Sequence, residues 1–165
     1  MGWNADFLGR NILVTAGGTR EPIDPIRFIG NRSSGKQGYA VAQAAIIRGA
    51  RVHMIAANCD LPDIEGVEIT RVETTAEMAM ALDKRFPDCD ALIMCAAVAD
   101  GKPVRQRRQK INKADLQSLE LEANPDLLAQ RSARKKPSQV LSSFAAEHQS
   151  LLQNVSTAFE CQGIV

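Results

Sequence analysis

The sequence predicts an α/β domain: a Rossmann-like, three-layer α/β/α arrangement with a mostly parallel sheet and a basic flap. Three observations predict it. Short β-branched or wholly apolar runs recur along the chain, each bounded by glycine, proline or polar residues. Between them lie stretches with apolar residues at helical spacing, and strands alternating with helices imply βαβ units, a parallel sheet and right-handed crossovers. One long segment, Gly101 to Gln117, is polar, basic and poor in apolar residues, so it belongs outside the core.

The elements follow in order. Ile12 to Thr15 is a β-branched run that ends in Ala16-Gly17-Gly18, a buried strand followed by a tight turn. From Gly38 to Gly49, residues Tyr39, Val41, Ala42, Ala45 and Ile46 form a helical stripe, and Gly49 sits where a helix-terminating glycine belongs. Arg51 to Ala56 and Val67 to Val72 read as strands, separated by a polar loop around Pro62. Thr74 and Glu77 have capping-box spacing and open a helix through Met78, Ala81 and Leu82. Asp90 to Ala97 is almost wholly apolar, as a central parallel strand covered on both faces requires. Asn124-Pro125-Asp126 starts a short helix, with Asn124 as the expected N-cap and Pro125 at its first turn. Ser138 to Ser142 is the expected fifth strand, and Gln149 to Cys161 the final helix.

Composition narrows the function classes. The 165 residues fit one domain spanning 1–165. A net charge of +1, with 45% hydrophobic and 24% charged residues, points to neither nucleic acid nor a membrane surface. Apolar runs stay well below the roughly 20 residues of a spanning helix, and the first residues lack the layout of a secretory signal. The expected location is the cytoplasm. Cys59, Cys89, Cys95 and Cys161 form no CxxC pair and stand at no metal-ligand spacing from His53 or His148, so no zinc site is expected. Cys95 reads as a small buried hydrophobe, and His53 as a solvent-facing strand position.

Ligands of open parallel sheets sit beyond the carboxyl ends of the strands. Three segments fall there. In Ala16 to Gly38, residues Gly17, Gly18 and Thr19 can bring backbone N–H groups close to an anion. Ser33, Ser34, Gly35 and Lys36 add hydroxyls, a glycine and a cation before a helix N-terminus. By residue type alone this is either a phosphate cradle or a loop ordered by Pro22, Pro25 and turn glycines. It matches neither the GxGxxG dinucleotide fingerprint nor the P-loop, which argues against an NAD(P)-dependent oxidoreductase. In the second segment, Ala96 and Ala97 leave room for a ring, and Asp100 suits a base, a ribose or a metal ion. Lys102, Arg105, Arg107, Arg108, Lys110 and Lys113 then place six cations within twelve residues, either a solvated loop or a flap over phosphates. The third segment, Asn124 to Leu128, is a helix start that a ligand can touch through its loop.

Taken together these residues resemble the phosphopantothenate–cysteine ligase family. Ile12 to Ala40 is similar to the opening of those enzymes. Cys95 to Asp100 resembles their fourth-strand motif and Lys110 to Lys113 their lysine-rich flap motif. Ala123 to Leu128 resembles their Asn-Pro-Asp segment, and Ser143 to His148 their Phe-Ala-Ala-Glu segment. The resemblance runs from about Gly9 to Gly163. It implies a two-step reaction with CTP and Mg2+: the carboxylate of 4'-phosphopantothenate is converted to an acyl-cytidylate, and the amine of cysteine then forms an amide. It also implies a homodimer and association with a phosphopantothenoylcysteine decarboxylase.

Matched by position, the resemblance assigns Asn31 to the second step and Lys110 to the nucleotide phosphates. Met94, Cys95, Ala96, Asp100, Pro125, Asp126, Leu127 and Leu128 become nucleotide contacts, with Phe144 at the base. Metal ligands stay unassigned. The sequence departs from the family at Asn112, Ser143, His148, Ala158 and Gln162, the last two standing where the family has CTP-binding lysines. The chain is also expected to be C-terminally shortened, with an uncovered edge that favours self-association. A non-catalytic nucleotide-binding remnant is the alternative these departures raise.

Overall fold

The structure, a computed structural model, describes residues 5–112 and 118–144. The expected final helix, Lys113, His148, Ala158, Cys161 and Gln162 lie outside the described residues.

Strand β1 (Asn11–Gly17) is buried from Ile12 onward, which explains its unbroken apolar sequence. It pairs in parallel with β4 (Arg51–Ala57) on one side and β6 (Ala91–Met94) on the other. β5 (Val67–Val72) extends the sheet beyond β4, and β9 (Val140–Ser143) extends it beyond β6. The resulting order is β5-β4-β1-β6-β9, all parallel. Alternation along β1 divides the core. Ile12, Val14 and Ala16 pack with Tyr39, Ala42 and Ala45 of helix α1 (Lys36–Ile47). Leu13 packs on the opposite face with Met78 and Leu82 of α2 (Thr75–Arg85) and Leu127 and Leu128 of α3 (Leu127–Ser132). Each fully buried aliphatic side chain of this kind contributes about 1.5–3 kcal/mol. The expected three-layer parallel α/β fold is therefore the fold found.

Local chemistry sets the helix limits. α1 ends in a Schellman motif: the Gly49 N–H donates to the Ile46 carbonyl and the Ala50 N–H to the Ala45 carbonyl, with Gly49 at φ 89°. α2 starts in the expected capping box, with Thr74 Oγ1 accepting from the Glu77 N–H and the Glu77 carboxylate accepting from Thr74. The third helix departs from expectation. Its N-cap is Asp126, whose carboxylate accepts the Ala129 N–H at 2.9 Å. Asn124 is drawn into tertiary contacts instead, which leaves Pro125 ahead of the helix.

Two small antiparallel ribbons were not expected. β2 (Arg20–Pro22) pairs with β3 (Phe28–Gly30) inside the long first loop. β7 (Gly101–Pro103) pairs with β8 (Leu121–Ala123) and forms the stem of the basic flap. His53 also departs: it is half-buried, with Nε2 2.8 Å from Thr70 Oγ1 and Nδ1 3.2 Å from a Glu68 carboxylate oxygen. Burial lowers its pKa against the opposing pull of Glu68.

Candidate functional site

The sheet order reverses between β1 and β6, so the crevice above their carboxyl ends is where a parallel sheet opens to ligand. The loop after β1 and the connector after β6 form its walls, and they are laid against each other residue by residue. The Ala97 N–H donates to the Gly17 carbonyl and the Thr19 N–H to the Ala97 carbonyl. Thr15 Oγ1 accepts the Ala96 N–H at 3.1 Å, and Thr19 Oγ1 accepts the Ala99 N–H at 2.8 Å. Asn31 joins the same seam, its side-chain amide donating to the Val98 carbonyl at 3.1 Å.

This geometry sorts the residues of the first segment. Gly17 has φ 82°, and an added Cβ there would lie 1.9 Å from the Ala57 carbonyl oxygen. The Gly18 N–H already donates to that carbonyl. Thr19 is fully buried and its hydroxyl is engaged by Ala99 and Thr75. Gly18 and Thr19 thus spend their polar groups on the turn itself rather than presenting them to an anion. Asn31, Ser34 and Lys36 are exposed, and Ser33 is half-buried. Asn31, Ser33 and Ser34 precede a helix start, at Lys36, that carries no side-chain cap, with Gly35 in the left-handed region at φ 77°. Free first-turn N–H groups at a 12-residue helix are the usual donor set for a phosphate. Gly38 lets this helix lie flush on the sheet, since a Cβ there would meet Ala16 Cβ at 2.6 Å.

The second and third segments meet across the crevice. Ala96 is half-buried and Asp100 exposed at its mouth. Met94 is buried, its sulfur accepting from Thr15 Oγ1 at 3.7 Å. Cys95 is half-buried rather than buried, and desolvation pushes its thiol up to about 11, so it stands in the wall as a neutral group. Pro125 and Asp126 are exposed, whereas the side chains of Leu127 and Leu128 belong to the core and leave only their backbone for a ligand. Phe144 is half-exposed just beyond β9, its N–H donating to the Met94 carbonyl.

The flap rises on the β7–β8 stem and meets the first loop, where the Arg107 N–H donates to the Ile23 carbonyl. Arg105, Arg107, Arg108 and Lys110 are all exposed, and Lys102 pairs with Glu122 at 3.3 Å. An open cavity of about 700 Å³ lies within the flap, with Arg105, Arg107 and Lys110 among its lining residues. One buried carboxylate anchors the flap to the first loop. Asp24 accepts N–H groups from Ile26, Arg27 and Ile111 at 2.9, 2.8 and 3.2 Å and pairs with Arg27 at 3.3 Å. Arg27 also donates to the Ile111 carbonyl. Burial alone would raise the Asp24 pKa, but those N–H groups and the Arg27 guanidinium outweigh it and hold it below its ordinary value. Sequence reasoning missed Asp24, Thr75, Glu21 and Asn58. Asn58 has φ 50°, and its amide donates to the Gly18 and Glu73 carbonyls at 2.9 Å each. Among the described residues no three His, Cys, Asp or Glu side chains gather as a metal site, and no helix is long and apolar enough to cross a membrane.

Fold and site define a class: a Rossmann-like α/β domain with a candidate ligand crevice at the topological switch point and a basic flap on the β7–β8 stem. Residues 7–164 match the family described as DNA/pantothenate metabolism flavoprotein C-terminal domain, and the chain belongs to that family. Its relatives carry this domain as the C-terminal part of a bifunctional coenzyme A biosynthesis protein. The chain is 53% identical over 127 residues to the coenzyme A biosynthesis bifunctional protein CoaBC of Mycobacterium bovis, a match covering 75% of this chain and 30% of that protein. It thus spans under a third of the length of this curated relative. The crystal structure of the C-terminal domain of a CoaBC protein superposes with a TM-score of 0.86 at 34% identity, covering 98% of this chain and 76% of that one. The same fold occurs in a Cab2 mutant in complex with phosphopantothenate-cysteine, with a TM-score of 0.78 at 17% identity over 94% of this chain and 70% of that one.

Proposed function

We propose that the chain is a phosphopantothenate–cysteine ligase domain acting in coenzyme A biosynthesis, with CTP as the activating co-substrate. One observation carries the reading. The Asn31 side-chain amide donates to the Val98 carbonyl, which supports a site where the residue that the resemblance assigns to the second step lies beside the connector expected to meet the nucleotide. The substrate class is also consistent with the Cab2 structure, whose ligand is phosphopantothenate-cysteine.

In the first step the phosphopantothenate carboxylate attacks the α-phosphorus of CTP, forming an acyl-cytidylate as pyrophosphate departs. In the second, the neutral amine of cysteine attacks the acyl carbon, an amide forms, CMP leaves and the amine releases a proton. Two polyanions must be held side by side, so the protein's contribution is alignment and charge neutralisation. The uncapped start of α1, with Ser33, Ser34 and Lys36 beside it, suits one phosphate group. Ala96, Asp100 and the backbone of Pro125 to Leu128 suit the nucleoside, with Phe144 toward the base. Lys110 on the flap suits the transferring phosphates. Mg2+ would be held mainly by the nucleotide's own phosphates, with the exposed Asp100 as one crevice carboxylate able to join them, and it would neutralise charge on the leaving pyrophosphate. Asn31 is proposed to hold the acyl intermediate for attack by the amine.

The test is direct. The folded chain is mixed with CTP, Mg2+, phosphopantothenate and cysteine while pyrophosphate and amide product are followed. Equal amounts of both support the ligase, and their absence ends this reading. CTP binding by calorimetry without turnover would favour the non-catalytic remnant, which the departures at Ala158 and Gln162 motivate. A homodimer and a decarboxylase partner are part of the same proposal.

A further inference from the structure

Behind the crevice wall lies a buried polar hub that the proposed chemistry does not use. Thr75 is fully buried in the first turn of α2. Its N–H donates to the carboxylate of Glu21 at 2.9 Å, and Glu21 is itself 5% exposed. Its hydroxyl lies 3.1 Å from the Thr19 hydroxyl and accepts from the Asn124 amide at 3.3 Å. Thr19 in turn accepts the Ala99 N–H, and the Asn124 amide also donates to the Ala99 carbonyl at 2.9 Å. The Asn124 N–H closes the circuit on the Asp100 carbonyl at 2.8 Å.

The arrangement has a consequence for geometry. Ala99 is gripped at both its N–H and its carbonyl, and Asp100 follows it directly. Asn124 grips the same two residues from the segment that leads into Pro125. The connector after β6 and the Asn-Pro-Asp segment come from distant parts of the sequence, and their separation is set by this circuit. α2 supplies its fixed point, because a helix of 11 residues packed on the core moves little and its N-terminus favours the Glu21 carboxylate. Buried networks of this kind are rigid when every member is satisfied, and each bond is strengthened by the low local dielectric.

We infer that Thr75, with Thr19 and Asn124, is a positioning residue that fixes the distance between Asp100 and Pro125, and so the width of the nucleotide subsite. None of the three touches the reacting atoms. The inference deepens the proposed function and rests on it.

Thr75→Val keeps the shape and removes the hydroxyl, and Thr75→Ser restores it. In the steady-state ligase assay, Thr75→Val is expected to raise the KM for CTP about tenfold, the effect of losing one buried hydrogen bond. The KM for cysteine should stay unchanged, and Thr75→Ser should return the CTP value to that of wild type. Hydrogen exchange adds a readout independent of turnover. Exchange in a peptide spanning 95–101 should accelerate in Thr75→Val, slow again in Thr75→Ser, and remain unchanged in peptides from β4. If Thr75→Val does not fold, Asn124→Ala carries the same expectations at a half-buried position. Wild-type CTP kinetics together with wild-type exchange in the folded variant would overturn the inference. So would an equal rise in the KM for both CTP and cysteine, which would mark a general loss of structure. A wild-type chain that neither binds nor turns over CTP would instead remove the underlying functional reading, and the inference with it.

Discussion

The two walls of the crevice are built on opposite principles. The floor and back wall, where β1 and β6 end, are held by buried or part-buried hydrogen bonds between neutral groups: Thr15 to Ala96, Thr19 to Ala99, Asn124 to Ala99. The flap carries most of the positive charge near the site, and its cations are exposed. Among the described residues, bonds from Ile111 to Asp24 and Arg27 and from Arg107 to Ile23 tie it to the first loop. A buried neutral network holds positions to fractions of an ångström, whereas exposed cations contribute attraction and can rearrange around a bound polyanion. The first region sets where a ligand sits. The second sets how strongly an anion is drawn there.

That division can be broken at several points. The largest effect belongs to the floor. Gly17→Ala places a Cβ against the Ala57 carbonyl in a left-handed backbone, so it should cost about 2–5 kcal/mol, read as a lower urea midpoint. Unchanged stability would mean that the turn after β1 is not the rigid element described.

The next effect concerns the anchor of the flap. The Asp24 pKa is depressed below its ordinary 3.8, so the stability it contributes is present above that value and is lost as pH falls through the lower folded-state value. The amide resonance of Ile111 should therefore titrate with a midpoint below 3.8. Asp24→Asn should abolish that titration and speed tryptic cleavage after Arg105, Arg107 and Lys110. A flap equally resistant in the variant would show that other contacts hold it.

A functional effect without a stability effect is expected from Lys110→Ala. Its KM for CTP should rise about tenfold with an unchanged urea midpoint, the pattern of an exposed cation that meets only the ligand. The smallest effect is chemical. With its thiol pushed up to about 11, Cys95 should react with iodoacetamide far more slowly than free cysteine at neutral pH and accelerate as pH rises. Fast neutral labelling would contradict the desolvated wall.

The same division explains what the sequence reveals. β1, β4 and β6 are legible because apolar runs bounded by glycine or polar residues record burial, whereas β5, a partly exposed edge strand, is legible from its alternation. The flap's charge is legible because exposed cations need no partner to be recognised. The buried polar circuit is not legible. Thr19 and Glu21 of that circuit, like the flap anchor Asp24, lie in a polar loop, and nothing local shows that the fold closes over them. Asn124 and Asp126 are both good N-caps, and Pro125 favours the first, yet Thr75 and Ala99 claim the Asn124 amide and leave the cap to Asp126. The ribbons β2–β3 and β7–β8 escaped notice for a related reason. Their strands are three residues long, and their pairing rather than their composition makes them strands. His53 looked solvent-facing because alternation alone cannot see Thr70 and Glu68 on the neighbouring strand.

The most direct test of the account omits cysteine. The chain is incubated with CTP labelled at the α-phosphorus, Mg2+ and phosphopantothenate, at enzyme concentrations comparable to substrate. A burst of pyrophosphate stoichiometric with the protein is expected, with a label retained on it as the acyl-cytidylate and discharged as CMP when cysteine is added. Asn31→Ala should give the burst and fail to discharge it. A folded wild-type chain that releases no pyrophosphate, or that releases it equally without phosphopantothenate, would contradict the assignment.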